Sequence, residues 1–168
     1  LLRGVDEEVV NRFAQAASQQ WNLLLEHALI EIRQNDDDSV TVVLENDGEL
    51  VDVVADKVLV ATGRRPNSDS LHAEKFFDVD ARGLIGVDEY QRVLYNGAPV
   101  EGVFALGDIS SPYQLKHVAN HEARIVQHNL SHPNELRASD HRFVPAAVFS
   151  HPQLAYVGLT EEQARAAG

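Results

Sequence analysis

The sequence of 168 residues contains no cysteine, no methionine and one tryptophan, and only 7% of it is aromatic. Without cysteine there is no disulfide framework, no thiolate metal site and no cysteine nucleophile within the chain. No glycine-rich phosphate loop is present, and no apolar run approaches the roughly 20 residues of a membrane-spanning helix. Positive charge is scarce: 14 Lys and Arg stand against 26 Asp and Glu, a net charge of −12. That balance argues against nucleic acid or an anionic membrane as a general partner and fits a solvated acidic surface. The absence of methionine extends to the first residue, Leu1, where no secretory signal is visible. The last residue, Gly168, falls inside an apparent helix, so a piece of a longer protein is expected.

What is present is globular in character, 44% hydrophobic and 24% charged. Asp6 opens a helical pattern to Gln19, with Val9, Val10, Phe13, Ala14, Ala16 and Ala17 near helical spacing. "WNLLLEHALIEI" shifts toward strand character, and "SVTVVLEND" alternates, Val40, Val42 and Leu44 against Thr41, Val43 and Glu45. Asp47-Gly48 reads as a hairpin turn into a return strand from Glu49 to Val54. "KVLVATG" is fully apolar, which predicts a strand of a parallel sheet covered on both faces.

The character changes at Gly63, where "GRRPNSDS" is rich in turn residues, a first boundary candidate. "LIGVDEY" predicts a strand, Asn96 to Pro99 a turn, and "VFALGD" a second buried strand. A helix is expected from Leu115 to about Leu130, stopped by Pro133, then one or two strands after a boundary near Asp140. "TEEQARAAG" carries a capping box, Thr160 with Gln163.

Two strand-to-turn junctions, "VLVATGRRPN" and "VFALGDIS", are the candidate chemistry, because ligands of open α/β sheets sit outside the carboxyl ends of strands. Gly63 and Gly107 there either permit close backbone approach to a ligand or simply form turns. Asp108 is either a turn aspartate bonded to its own backbone or a carboxylate accepting from ligand hydroxyls such as a cofactor polyol. The helix start at Gln114, Leu115, Lys116 and His117 offers unpaired N–H groups to a ligand carbonyl or a developing anion. Arg64 and Arg65 read as surface charge or as an anion contact. His117, His121, His128 and His132 share a face opposite the stripe Leu115, Val118, Ala119, Val126 and Leu130. "HVANHE" departs from the H-E-x-x-H pattern and implies no third ligand, so that face reads as polar surface or interface rather than a metal site.

"VLVATGRRPN", "GVFALGDI", a loop and helix, and then "VPAAVFSHPQLAYVGLTEEQA" together resemble the FAD-dependent pyridine nucleotide–disulfide oxidoreductases over essentially the whole chain. Within that family, "VDEYQR", "SSPYQLKHVANHEARIVQHNL" and "DHRFVPAAVF" are most similar to the mycothione reductase branch. The resemblance implies an α/β fold made of parts of two Rossmann-like nucleotide-binding domains and the start of an α+β interface (dimerisation) domain. Residues 1–61 would end the NAD(P)-binding domain, 62–140 would be the returning part of the FAD-binding domain, and 141–168 would begin the interface domain.

The resemblance further implies that Asp108, with Gly107, binds the FAD ribityl chain, and that Gln114, Leu115, Lys116 and His117 face the flavin pyrimidine carbonyl. Gly63, Arg64 and Leu29 would contact the NADP nucleotide, and Ala147 to Phe149 would line the nicotinamide side. The family's cysteine pair, glycine-rich fingerprints and His-Glu acid–base pair have no counterpart in these residues, so no catalytic residue is expected here and the fragment alone is expected to be inactive. The implied parent is a cytoplasmic homodimeric flavoenzyme using FAD and NADPH on a small-molecule disulfide, mycothiol disulfide. A NAD-dependent dihydrolipoamide dehydrogenase is the alternative, and a non-catalytic nucleotide-binding or assembly module is one of another class.

Overall fold

The computed structural model describes Leu2 and residues 4–168; Leu1 and Arg3, in the first expected segment, lie outside the described residues. The chain divides into two compact units. One runs to Thr62 and includes Val148–Leu154 and Leu159–Gly168; the other is Gly63–Ala147 with Ala155–Gly158.

In the first unit, Asp6 caps helix α1 (Glu7–Ala17) by accepting from the Glu8 N–H. The apolar stripe of α1 buries Phe13 and Ala17 against Leu154, with Leu2, Val9, Leu23 and Val148 packed around them. Strands β1 (Ala28–Gln34), β2 (Val40–Asn46) and β3 (Glu49–Ala55) form an antiparallel sheet with β2 in the centre. The β2–β3 turn is Asp47-Gly48, both at positive φ (50° and 85°), the backbone a two-residue hairpin requires. Thr41 and Val43 are the buried face of β2, whereas β1 is exposed along its length. Helix α3 (Glu161–Ala167) begins at Thr160 with the expected capping box to Gln163.

The segment 57–63 departs from expectation. "KVLVATG" forms no strand and is exposed throughout, Leu59 at 89% and Val60 at 66%. An apolar run becomes an inner strand only where neighbours complete its backbone ladder, and no strand pairs with it among the described residues.

In the second unit, β4 (Arg92–Tyr95) and β5 (Ala98–Phe104) form an antiparallel hairpin around Asn96-Gly97. The Asp78 carboxylate pins that turn, accepting from the Asn96 and Gly97 N–H groups at 2.9 and 2.8 Å. "VFALGD" therefore contains a strand that ends at Phe104 and is half-buried, an antiparallel edge rather than a sandwiched inner strand. "LIGVDEY" contributes only single bridges, Val79 to Ile85 and Val87 to Val93. Ala73, Ile85 and Val93 form the core beneath, joined by Val103, Ala105 and Ile109. Helix α2 (Lys116–Ser131) follows the loop "SSPYQ". It buries Val118, Glu122, Val126 and Asn129, while Leu130 is 59% exposed. Asn129 takes the last inward position because its side chain bonds the Tyr90 and Arg137 carbonyls and the Arg137 N–H. A two-stranded sheet, β6 (Ala146–Val148) with β7 (Leu154–Tyr156), precedes α3.

Candidate functional site

The second unit places its most constrained turn where "VFALG" ends. Gly107–Ile109 is a single 3-10 turn, and Gly107 is buried with φ 72°. A Cβ at Gly107 would sit 3.3 Å from the Ala119 Cβ of α2, so the glycine serves both the left-handed backbone and the close approach of the helix. The Gly107 carbonyl accepts from the Ser110 and Ser111 N–H groups at 3.0 and 2.7 Å. Its N–H donates to Glu122 Oε2 at 2.6 Å, and Glu122 is 1% exposed. The turn is thus held through its nitrogen, its carbonyl and its Cα, and it presents Asp108 on the exposed side.

Asp108 opens onto a cleft of about 310 Å³ lined by Arg64, Arg65, Pro66, Asn67, Asp108, Ile109 and Gln114. The arginine-bearing segment is anchored just beyond the cleft: Pro66 is buried, and Ser68 Oγ donates to the Gly83 carbonyl at 2.6 Å. Two arginines, an aspartate and two carboxamide residues, Asn67 and Gln114, therefore line one space. The cations suit a phosphate or other anion, and the carboxylate suits donor hydroxyls. The volume matches one moiety of a dinucleotide rather than the whole.

Gln114, at φ 52°, is the last residue of the loop before α2. Leu115 is the N-cap of that helix and supplies no side-chain acceptor, so the first N–H groups of this 16-residue helix have no side-chain cap. Among the described residues, the Ser110 and Ser111 hydroxyls of the same loop are buried without partners. A turn with an exposed carboxylate beside a helix start without a side-chain cap fits a flavin ribityl chain and its ring carbonyl in donor and acceptor chemistry.

A wider cleft of about 790 Å³ lies in the first unit, lined among others by Asp6, Glu7, Glu8, Glu161 and Glu162. Arg165, the one arginine lining it among the described residues, is paired with Glu161, so the acidic lining is unfavourable for an anionic nucleotide.

The expected residues do not all meet. Asp108, Gln114 and Arg64 share the cleft, and Gly107, Leu115, Lys116 and His117 adjoin it in the chain. Gly63 is exposed, with nothing within 4 Å of a Cβ built on it. Leu29 is 55% exposed on β1 and belongs to the first unit. Ala147 on β6 is exposed and lines none of this cleft, and Phe149 is 88% exposed. His117 on α2 and His132 at its C-cap are exposed, His121 and His128 are half-buried, and the His128 and His132 rings stack at 4.4 Å.

The sequence reading passed over Asn67 and Ile109 as cleft residues, and over Glu122 and His141 as the support behind Gly107. A signal for Glu122 was available. It sits midway between Val118 and Val126 at four-residue spacing, a charge on the apolar stripe of α2. His141 carries no such local mark; only folding brings its Nε2 to 3.0 Å from Glu122 Oε1.

The family model described as pyridine nucleotide-disulphide oxidoreductase matches residues 1–123. The chain is 48% identical, over its whole length, to mycothione reductase of Mycobacterium tuberculosis, of which it covers 36%. It is 34% identical over its whole length to dihydrolipoyl dehydrogenase of Geobacillus stearothermophilus, covering 34% of that protein. Among solved structures, the Cu(II) complex of a cysteine-to-serine mutant of the HOCl-induced flavoprotein disulfide reductase RclA from Escherichia coli superimposes with a TM-score of 0.80 at 28% identity, over 99% of this chain and 36% of that one. The chain therefore spans about a third of the length of the relatives it matches. These likenesses establish an α/β chain whose structural neighbours are flavoprotein disulfide reductases with Rossmann-like nucleotide-binding domains. The chain belongs to the pyridine nucleotide-disulphide oxidoreductase family.

Proposed function

We propose that this chain is the flavin-contacting part of a disulfide reductase that draws electrons from NADPH and delivers them, through FAD and a cysteine pair elsewhere in the protein, to mycothiol disulfide. The observation that carries the reading is the shared cleft of Asp108, Gln114 and Arg64 beside the uncapped start of α2. FAD, when bound, supplies the redox chemistry of accepting a hydride equivalent from the nicotinamide and passing electrons onward. The chain's own residues do the holding. The Asp108 carboxylate accepts from ribityl hydroxyls. The Gln114 carboxamide and the N–H groups of Lys116 and His117 face the pyrimidine edge, where the helix dipole of about half a unit charge favours negative charge. Arg64 and Gly63 serve the pyridine nucleotide.

In this reading residues 1–61 complete the NAD(P)-binding domain, 62–140 return to the FAD-binding domain, and 141–168 begin the dimer interface of a cytoplasmic homodimer. Leu29 and Ala147 would reach the nucleotide in that assembly, and the exposed run Val58, Leu59 and Val60 is the surface a larger sheet would cover. The 48% identity to a mycothione reductase supports the substrate, and the 34% identity to a dihydrolipoyl dehydrogenase supports the second reading, thiol oxidation with NAD. Turnover of the whole protein separates them. NADPH oxidation with mycothiol disulfide is expected to outpace NADH oxidation with lipoamide, and the purified protein is expected to show a flavin absorbance band. The reverse preference replaces the first reading with the second, and a protein without flavin overturns both.

A further inference from the structure

We propose that Glu122 is a positioning residue of the flavin site, a buried clamp that sets the Gly107–Asp108 turn against the start of α2. The proposal rests on the reading of Asp108 as a flavin contact.

The turn and the helix are joined in sequence by the loop Ser110–Gln114, whose first two N–H groups return to the Gly107 carbonyl. The clamp bypasses that loop. Glu122 lies on α2 one helical turn beyond Val118, on the buried face, 1% exposed. Its Oε2 accepts the Gly107 N–H at 2.6 Å, a charge-assisted bond across 15 residues of sequence. Gly107 is the residue before Asp108, so the direction in which the Asp108 carboxylate leaves the backbone follows from this bond. The Ala119 Cβ, one turn earlier on the same helix, lies 3.3 Å from where a Cβ on Gly107 would sit, so only glycine allows this spacing.

The second oxygen of Glu122 is also engaged. Oε1 lies 3.0 Å from His141 Nε2, an ion pair when the imidazole is protonated. The same Nε2 is 3.2 Å from Ser139 Oγ. The His141 ring packs on Tyr113, centroids 5.4 Å apart, in the loop just before Gln114. With both oxygens used, the carboxylate has one orientation, and the loop is held from inside through Gly107 and from outside through Tyr113. Serine and glutamate meet the same imidazole nitrogen, which excludes a nucleophilic relay: such a relay needs the acid on one ring nitrogen and the hydroxyl on the other. The arrangement is a support, not a second catalytic centre.

The test is FAD titration of the apoprotein made from the full-length enzyme, comparing wild type, Asp108→Ala, Glu122→Leu and Glu122→Gln. Leucine keeps the volume of residue 122 and removes the acceptor; glutamine keeps an acceptor oxygen for the Gly107 N–H. Glu122→Leu is expected to weaken FAD binding by about tenfold to a hundredfold, the range for losing a hydrogen bond to a charged group. Glu122→Gln is expected to stay within about threefold of wild type, whereas a packing role alone predicts that the leucine variant, which keeps the volume, is tolerated as well. If Asp108→Ala weakens binding and Glu122→Leu does not, or if the glutamine variant is as weak as the leucine variant, the clamp is refuted and the flavin reading stands. If Asp108→Ala leaves FAD binding unchanged, the flavin reading itself fails. Should Glu122→Leu not fold, hydrogen exchange at the Gly107 amide of the wild-type protein decides: strong protection is expected, and exchange at the rate of an open loop overturns the clamp.

Discussion

Gly63 and Gly107 follow closely similar sequences, "VLVATG" and "VFALG", and the two glycines have opposite circumstances in the fold. Gly107 is buried, at φ 72°, bonded through its N–H to Glu122 and closed on by Ala119. Gly63 is exposed, at φ 131°, with open space where its Cβ would stand, after a segment that joins no sheet among the described residues. Hydrophobicity before a glycine is therefore not what builds a constrained turn. What builds it is a neighbour, here α2, which takes up the backbone N–H and leaves no room for a side chain.

The widest gap between the two should appear on adding a side chain. Gly107→Val is expected to lower unfolding free energy by about 2–4 kcal/mol, through an unfavourable left-handed backbone and overpacking against Ala119. Gly63→Val is expected to change it by less than about 1 kcal/mol, because an exposed segment without a ladder relaxes its backbone. Urea midpoints of the two variants check this, and equal losses would remove the distinction.

A smaller effect concerns the residues that follow each glycine. Asp108→Ala is expected to weaken FAD retention about tenfold or more, and Arg64→Ala to raise the KM for the pyridine nucleotide with flavin content unchanged. Flavin absorbance per protein and steady-state kinetics read the two out. Since Arg64 and Asp108 line one cleft, equal flavin loss in both variants would mean that the two junctions serve a single ligand.

The smallest effect lies on the rim, at an exposed ion pair beside the buried one. The Arg142 guanidinium, hydrogen-bonded to Asp140, holds that carboxyl below the usual carboxylate range. A lowered folded value means that Asp140 contributes stability above its unfolded value, near ~3.9, and loses it as pH falls through the folded value. Arg142→Ala is expected to return Asp140 toward the ordinary range in an NMR titration. At pH 7 thermal stability should scarcely move, since both side chains are solvent-screened, Arg142 at 77% and Asp140 at 50% exposure. A large loss at pH 7 would place this pair in the support of the site.

Much of the local structure was legible because its causes are local. Asp6, Asp47-Gly48, Pro133 and the Thr160–Gln163 box act through neighbours a few residues away, and helices, turns and caps stand where those residues predict. "KVLVATG" was misread because apolar content signals burial only when a partner strand exists, which composition does not report; "LIGVDEY" is buried at Leu84 and Ile85 but pairs through single bridges instead of a continuous strand. The site was legible in part. Asp108, Gln114 and Arg64, singled out by their positions, line one cleft, while Glu122 was hidden in plain view as a charge within an apolar stripe.

The chain's own order of residues determined the helix starts, the hairpin turns and membership of a flavin- and nicotinamide-using family, since each rests on short-range stereochemistry or on motifs in register. Only the tertiary structure decided which strand-end glycine is buried, and that Glu122 and His141 stand behind it. Those choices depend on groups from separate elements excluding water together, Gly107 with Glu122 on the helix and His141 beyond its end. A buried charge is stable only when such partners arrive at the same place.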